Sequence, residues 1–119
     1  MNKPNKNPRS NYITFHYNNV FVTLPVEQIV RFEANVNYSL IFTGSGKKYL
    51  SSRTLKHYTE KLATKSFVRV HKSHLINSNF AEGVILNGGK STVLLKFGEK
   101  VSISRRKLKE VVEKVGLVN

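Results

Sequence analysis

The stretch Phe67-Val68-Arg69-Val70-His71-Lys72-Ser73-His74-Leu75-Ile76-Asn77-Ser78-Asn79-Phe80 decides how the chain is read. Phe67, Val68 and Val70 form a short strand-like apolar run. His71, Lys72, Ser73 and His74 then interrupt it with ring nitrogens, an amine and a hydroxyl. Leu75 and Ile76 return to apolar character, and Asn77, Ser78 and Asn79 break the chain again. A segment that enters a core, surfaces for a few basic and hydrogen-bonding residues and re-enters is a presented tip. Its flanks hold it in place and its middle is offered to a partner.

Composition limits what that partner can be. The chain has 119 residues, enough for one domain, and such a domain buries roughly two-thirds of its unfolded surface without covalent staples. There is no cysteine, which excludes disulfides and thiolate metal sites. No apolar run approaches the roughly 18 residues of a membrane span, and residues 1–11, MNKPNKNPRSN, lack the apolar centre of a secretory signal. A cytoplasmic location is compatible with all of this. Twenty Lys and Arg face seven acids, all of them Glu, for a net charge of +13. Without Lys3, Lys6 and Arg9 the balance is still 17 against 7, so the excess belongs to the folded part. Such a field favours a polyanion, with nucleic acid ahead of an anionic membrane.

Outward from the tip, the chain divides into a basic, disordered leader over residues 1–11 and one folded domain over 12–119. Ile13, Phe15 and Tyr17 alternate with polar residues, as do Val20, Val22 and Leu24, and Asn18-Asn19 between them reads as a hairpin turn. Pro25 ends this hairpin, one helical turn occupies Val26–Gln28, and Ile29–Glu33 is a further strand. Asn35-Val36-Asn37 breaks it, Tyr38, Leu40 and Phe42 alternate again, and Gly44-Ser45-Gly46 turns the chain toward Lys47–Leu50. The pattern predicts a helix over Ser52–Ala63, capped by Ser52, with Leu55, Tyr58 and Leu62 on one face. Gly83–Leu86 and Thr92–Phe97 flank Asn87-Gly88-Gly89, a tight-turn signal. Ser104 is expected to cap a second helix, Arg105–Val115, stopped by Gly116. Strands arranged in hairpins predict a mainly β domain with antiparallel sheets and two short helices.

Catalysis finds little support. The histidines are His16, His57, His71 and His74; no Asp exists, and no third ligand accompanies His71 and His74 in a compact motif. A Ser–His–Asp site is impossible, and neither glycine cluster lies between a strand and a helix as a phosphate loop would. The chain is therefore read as a non-enzyme with no cofactor and no metal. The basic clusters are more informative. Lys65, Arg69, His71, Lys72 and His74 fall close together, and Arg105, Arg106, Lys107 and Lys109 open the second predicted helix. Positive charge there opposes the helix dipole, a penalty that a bound phosphate reverses. Arg105, Arg106 or Lys72 can pair with guanine in a groove, and Asn35 and Asn37 carry the amide suited to adenine or to phosphate. Tyr38 reads either as a packing ring on DNA or as a core residue. His71 reads either as a contact residue or as a buried side chain that shapes the tip.

Taken in order, four pieces resemble the LytTR family of bacterial DNA-binding domains: Phe32-Glu33-Ala34-Asn35-Val36-Asn37-Tyr38, Thr54-Leu55 through Leu62, Phe67 through Asn77, and Phe97 through Arg106. The resemblance implies an elongated fold of about ten antiparallel strands in three small sheets, with loops carried into successive major grooves of double-stranded DNA. It implies base-reading positions at Asn37 or Tyr38, at Lys72 and at Arg105, with His71 beside them and with Ser73 and Arg106 contacting phosphate. It implies a transcription regulator of the response-regulator type in a two-component system, acting in pairs on repeated half-sites, with a receiver domain or sensor partner outside this chain. His74 departs from the pattern, standing where an aromatic such as Tyr or Phe is usual. The alternative class is an RNA- or ribosome-associated basic β protein, which composition alone allows but which lacks the stacking aromatics of RNA readers.

Overall fold

The computed structural model describes residues 11–118. The expected basic leader therefore lies, apart from Asn11, outside the described residues. In chain order the elements are β1 (Tyr12–Tyr17), β2 (Val20–Pro25), β3 (Ile29–Asn35), β4 (Tyr38–Thr43), β5 (Lys48–Ser51), α1 (Leu55–Lys61), β6 (Phe67–His71), β7 (His74–Asn77), β8 (Ala81–Ile85), β9 (Thr92–Leu95), β10 (Lys100–Ser102) and α2 (Leu108–Val115). Single 3-10 turns occupy Val26–Gln28, Ser78–Phe80 and Arg105–Lys107. The ten strands form three antiparallel sheets: β1-β2, the central β5-β4-β3-β7-β6, and β10-β9-β8.

The central sheet is covered on both faces, which is why its strands read as continuous apolar runs rather than clean alternations. On one face Phe32, Ile41, Phe67 and Leu75 pack with Ile13, Phe15 and Leu24 of the first hairpin and with Leu55, Tyr58 and Leu62 of the helical stripe. On the other, Val30, Val68, Val70 and Ile76 meet Val84, Val93, Leu95 and Val101 of the third sheet and Val111 of α2. Adjacent residues thus serve opposite cores, as the two-residue period of a strand requires. Tyr58 stacks on Phe32 with centroids 4.6 Å apart, and its hydroxyl lies 2.7 Å from Ser51 Oγ, joining α1 to β5. Asn77 is buried and fully used: its amide donates to the Ile29 carbonyl at 2.9 Å, and its oxygen accepts from Ser66 Oγ and the Asn79 amide.

Three expectations are corrected in detail. The first helix begins at Leu55, not Ser52; its cap is Thr54, whose hydroxyl accepts from the His57 amide at 3.1 Å. The Ser51 hydroxyl instead holds the Arg53 amide in the preceding bend. The second helix is not continuous from Arg105: a 3-10 turn comes first, and the Ser104 side chain caps nothing. Only Lys109 of the four basic residues stands in the α-helix proper, beside Glu110, so the helix-dipole penalty read from the sequence is smaller than expected. The β8–β9 ladder closes at Ile85–Thr92, leaving residues 86–91 as a wider loop in which Gly88 alone takes positive φ. Asn18 and Asn19, by contrast, adopt φ of 51° and 65°, the pair of left-handed residues that a two-residue hairpin turn demands.

Candidate nucleic-acid interface

Several turns gather at one end of the central sheet. In the β3–β4 hairpin Asn35 pairs with Tyr38, so Val36 and Asn37 form its two-residue tip. Immediately beside it the Ala34 amide donates to the Ser73 carbonyl at 2.9 Å, which places the β6–β7 turn against the base of that tip. The β6–β7 register slips between Arg69 and His71, a bulge that leaves Val70 out of the ladder. The Val70 carbonyl accepts from the Ser104 amide at 2.8 Å instead, and this bond brings in the 3-10 turn of Arg105–Lys107.

Between the last two turns lies an open cleft of about 540 Å³ lined by Thr59, Arg69, His71, Lys72, Ser104, Arg106 and Lys107. His71, Lys72 and Arg106 are therefore brought together, with Ser73 in the same turn. Arg105 lines a separate narrow recess with Gly88, Gly89, Ser91, Ile103 and Leu108. A methyl group added to Gly89 would sit 3.5 Å from Arg105 Nη2. Tyr38, 47% exposed, faces a separate cleft of about 440 Å³ with His16, Tyr17, Asn18, Asn19, Leu50 and Ser52. Asn37 and Tyr38 thus belong to the neighbouring hairpin and not to the Lys72 cleft.

Arg69 is a residue the sequence reading counted only as charge. Its Nε donates to the His71 carbonyl at 2.8 Å and its Nη2 to the Lys72 carbonyl at 2.6 Å, while Nη1 reaches Thr59 Oγ1 at 2.9 Å. Burial pulls its pKa down from the ordinary arginine value, yet a guanidinium stays charged in a protein. Its donors brace the tip against α1. No periodic signal marks this, because a strand places such an arginine where any polar residue would stand. His71 Nδ1 accepts the Ser73 amide at 3.0 Å, so the ring shapes the turn as well as lining the cleft. Its neighbour His74 lies 5.3 Å away, ring to ring, with Nδ1 buried and unpartnered. Burial lowers the His74 pKa; Glu33 and Glu99 oppose the shift, and Arg31 and His71 add to it.

Three of the acids are engaged by basic side chains. Arg31, 5% exposed, donates to Glu33 at 2.7 Å and to Glu99 from its other terminal nitrogen, and its guanidinium lies 3.7 Å from the centroid of Phe42. Glu110 sits 3.7 Å from both Lys107 and Lys114. Three of the seven acids are thus paired with three of the twenty bases, which leaves the net charge of +13 unchanged. Among the described residues no three of His, Cys, Asp and Glu cluster as a metal would need, and no helix is long and apolar enough to cross a membrane.

Fold and site define a basic module of three antiparallel sheets whose turns gather cationic side chains at one end. The chain belongs to the LytTr DNA-binding domain family, which matches residues 19–116. A solved LytTr DNA-binding domain of a response regulator from Bacillus cereus superposes with a TM-score of 0.76 at 17% identity, covering 90% of this chain and 98% of that one. The fold, with its ten strands in three sheets and two helices, is therefore the one the resemblance implied. Among curated relatives, the heme-containing CO-sensing transcriptional regulator RcoM 1 of Paraburkholderia xenovorans is 26% identical over 108 residues, 89% of this chain and 40% of that protein. A response regulatory protein of Vibrio cholerae is 31% identical over 99 residues, 82% of this chain and 40% of that protein. The chain spans about two-fifths of the length of these relatives.

Proposed function

We propose that this domain binds double-stranded DNA sequence-specifically on behalf of a bacterial transcription regulator, placing its turns in successive major grooves. The observation that carries this reading is the shared cleft of Lys72 and Arg106, closed behind by the Ser104–Val70 hydrogen bond. Two cations held on one face by backbone bonds are preorganised for a phosphate-lined groove. Lys72 and Arg105 read base edges and Arg106 and Ser73 hold phosphate, with His71 fixing the Lys72 turn. Asn37, or Tyr38 behind it, supplies a further contact one hairpin away. The longest dimension, 48 Å, exceeds the roughly 34–36 Å of one DNA helical turn, which suits contacts in more than one groove. A receiver domain or sensor elsewhere in the protein supplies the input, the site of action is the cytoplasm, and two copies occupy repeated half-sites.

Selection of bound duplexes from a random pool tests this reading. A defined motif is expected, and competition by duplex DNA should exceed that by duplex or single-stranded RNA. With about six phosphates neutralised, log K falls against log salt with a slope near −5. Equal retention of RNA and DNA would favour the RNA-associated alternative.

A further inference from the structure

Among the described non-glycine residues, three have positive φ: Asn18, Asn19 and Val36. Asparagine tolerates that region, because its short polar side chain bonds locally. A β-branched residue there is strained, since its Cβ substituents crowd the following carbonyl. Val36 nevertheless holds φ 56° at the β3–β4 tip, and at 89% exposed it is the most exposed large apolar side chain described. It therefore returns almost no burial to the fold. In the β1–β2 turn, by contrast, both positive-φ positions are filled by Asn. Strain without burial, at the turn packed beside Ser73, points to a use outside the fold.

We infer that Val36 is a specificity-determining residue, an apolar knob that meets the C5-methyl group of a thymine in the major groove next to the contact made by Asn37. The inference rests on the duplex-DNA reading above. Apolar side chains recognise thymine through this methyl, which no other base of DNA presents at that edge. The strained turn holds the two methyl groups of Val36 forward of the β3–β4 ladder, where a groove floor is the surface they can cover. Asn37 then supplies the polar half of the same hairpin's contact.

The test uses the full chain and two variants, Val36→Gly and Val36→Asn, whose replacements both accept positive φ. Binding is measured on the duplex that the unmodified protein selects, and again with each thymine replaced in turn by deoxyuridine. The unmodified protein is expected to lose roughly three- to tenfold in affinity at one thymine, the scale of burying a methyl group or two. Both variants should be indifferent to that replacement, bind the unmodified duplex correspondingly less well, and melt no lower than the parent. Variants that keep the parent's affinity and its methyl dependence would overturn the assignment alone, as would variants that melt lower, since the side chain would then serve the fold. If the parent selects no motif at all, the duplex-DNA reading falls and this one with it.

Discussion

Arg69 Nη2 donates to the carbonyl of Lys72 at 2.6 Å, so one cation of the basic tip is the internal support of another. Replacing Arg69 by Met removes three hydrogen bonds and leaves the His71 and Lys72 carbonyls without that donor. A loss of about 1–3 kcal/mol in unfolding free energy is expected from denaturant titration. Discrimination between cognate and random duplex should fall more than random-duplex affinity does, because the tip loses its shape while Lys72 keeps its charge. Equal losses on both duplexes would mark Arg69 as an ordinary phosphate contact.

Arg105 and Arg106 are adjacent in sequence but face different recesses, and their alanine variants should differ in kind. Arg105→Ala is expected to cost roughly 1–3 kcal/mol on the cognate site and to relax one base position. Arg106→Ala should weaken all duplexes about uniformly and reduce the steepness of the salt dependence by about 1. Titrations of cognate and scrambled duplexes across a salt series separate the two. Identical profiles for both variants would refute the division of labour.

The hairpins, the helical stripe of Leu55, Tyr58 and Leu62 and the basic tip were legible in the sequence because each is local: period, turn chemistry and charge sit within a dozen residues. The two-faced burial of the central sheet was legible only in part. Ile29-Val30 looks like a plain apolar run until partners on both sides are known. The site was readable as an inventory and not as an arrangement. Nothing local tells that Arg105 and Arg106 part ways, since a 3-10 turn and an α-helix share nearly the same sequence preferences. The bulge that frees the Val70 carbonyl for Ser104 depends on a contact between segments more than thirty positions apart. Arg31 sits within the Ile29–Glu33 strand run, and its burial depends on Glu99 from the distant β9–β10 turn.

That Arg31 cluster yields a prediction about the scaffold. Glu99 lies in the β9–β10 turn, so its bond to Arg31 ties the third sheet to the central one. Arg31→Met leaves two partly exposed carboxylates facing each other and removes this tie. A destabilisation of about 1–3 kcal/mol is expected, below the cost of breaking a fully buried pair because both acids reach solvent. The Arg31→Met, Glu99→Gln double variant should recover part of the loss, since the stranded charge is gone. Strict additivity in chemical denaturation would show that the two side chains act independently.

The half-buried His74 gives the fold a pH dependence with a definite sign. Burial disfavours its imidazolium, so its folded pKa lies below the ordinary 6.5. Below pH 6.5 the unfolded chain binds a proton that the folded chain does not yet accept. Stability contributed by neutral His74 is therefore complete above 6.5, declines as the pH falls from there toward the folded value, and is flat again once both states are protonated. The charged groups facing this ring pull in both directions: Glu33 opposite it on β3 and Glu99 favour the proton, Arg31 and His71 oppose it. His57, lowered by burial together with Arg53 and Lys61, adds a change of the same sign. Replacing His74 by Phe removes one titrating group and fills the same space with a ring that needs no partner for a buried nitrogen. Urea unfolding midpoints measured from pH 8 down to pH 5 should fall less steeply for His74→Phe than for the parent, with the His57 contribution remaining in both. A parent profile that rises on acidification, or one that Phe leaves unchanged, would show that His74 is not held neutral by its surroundings.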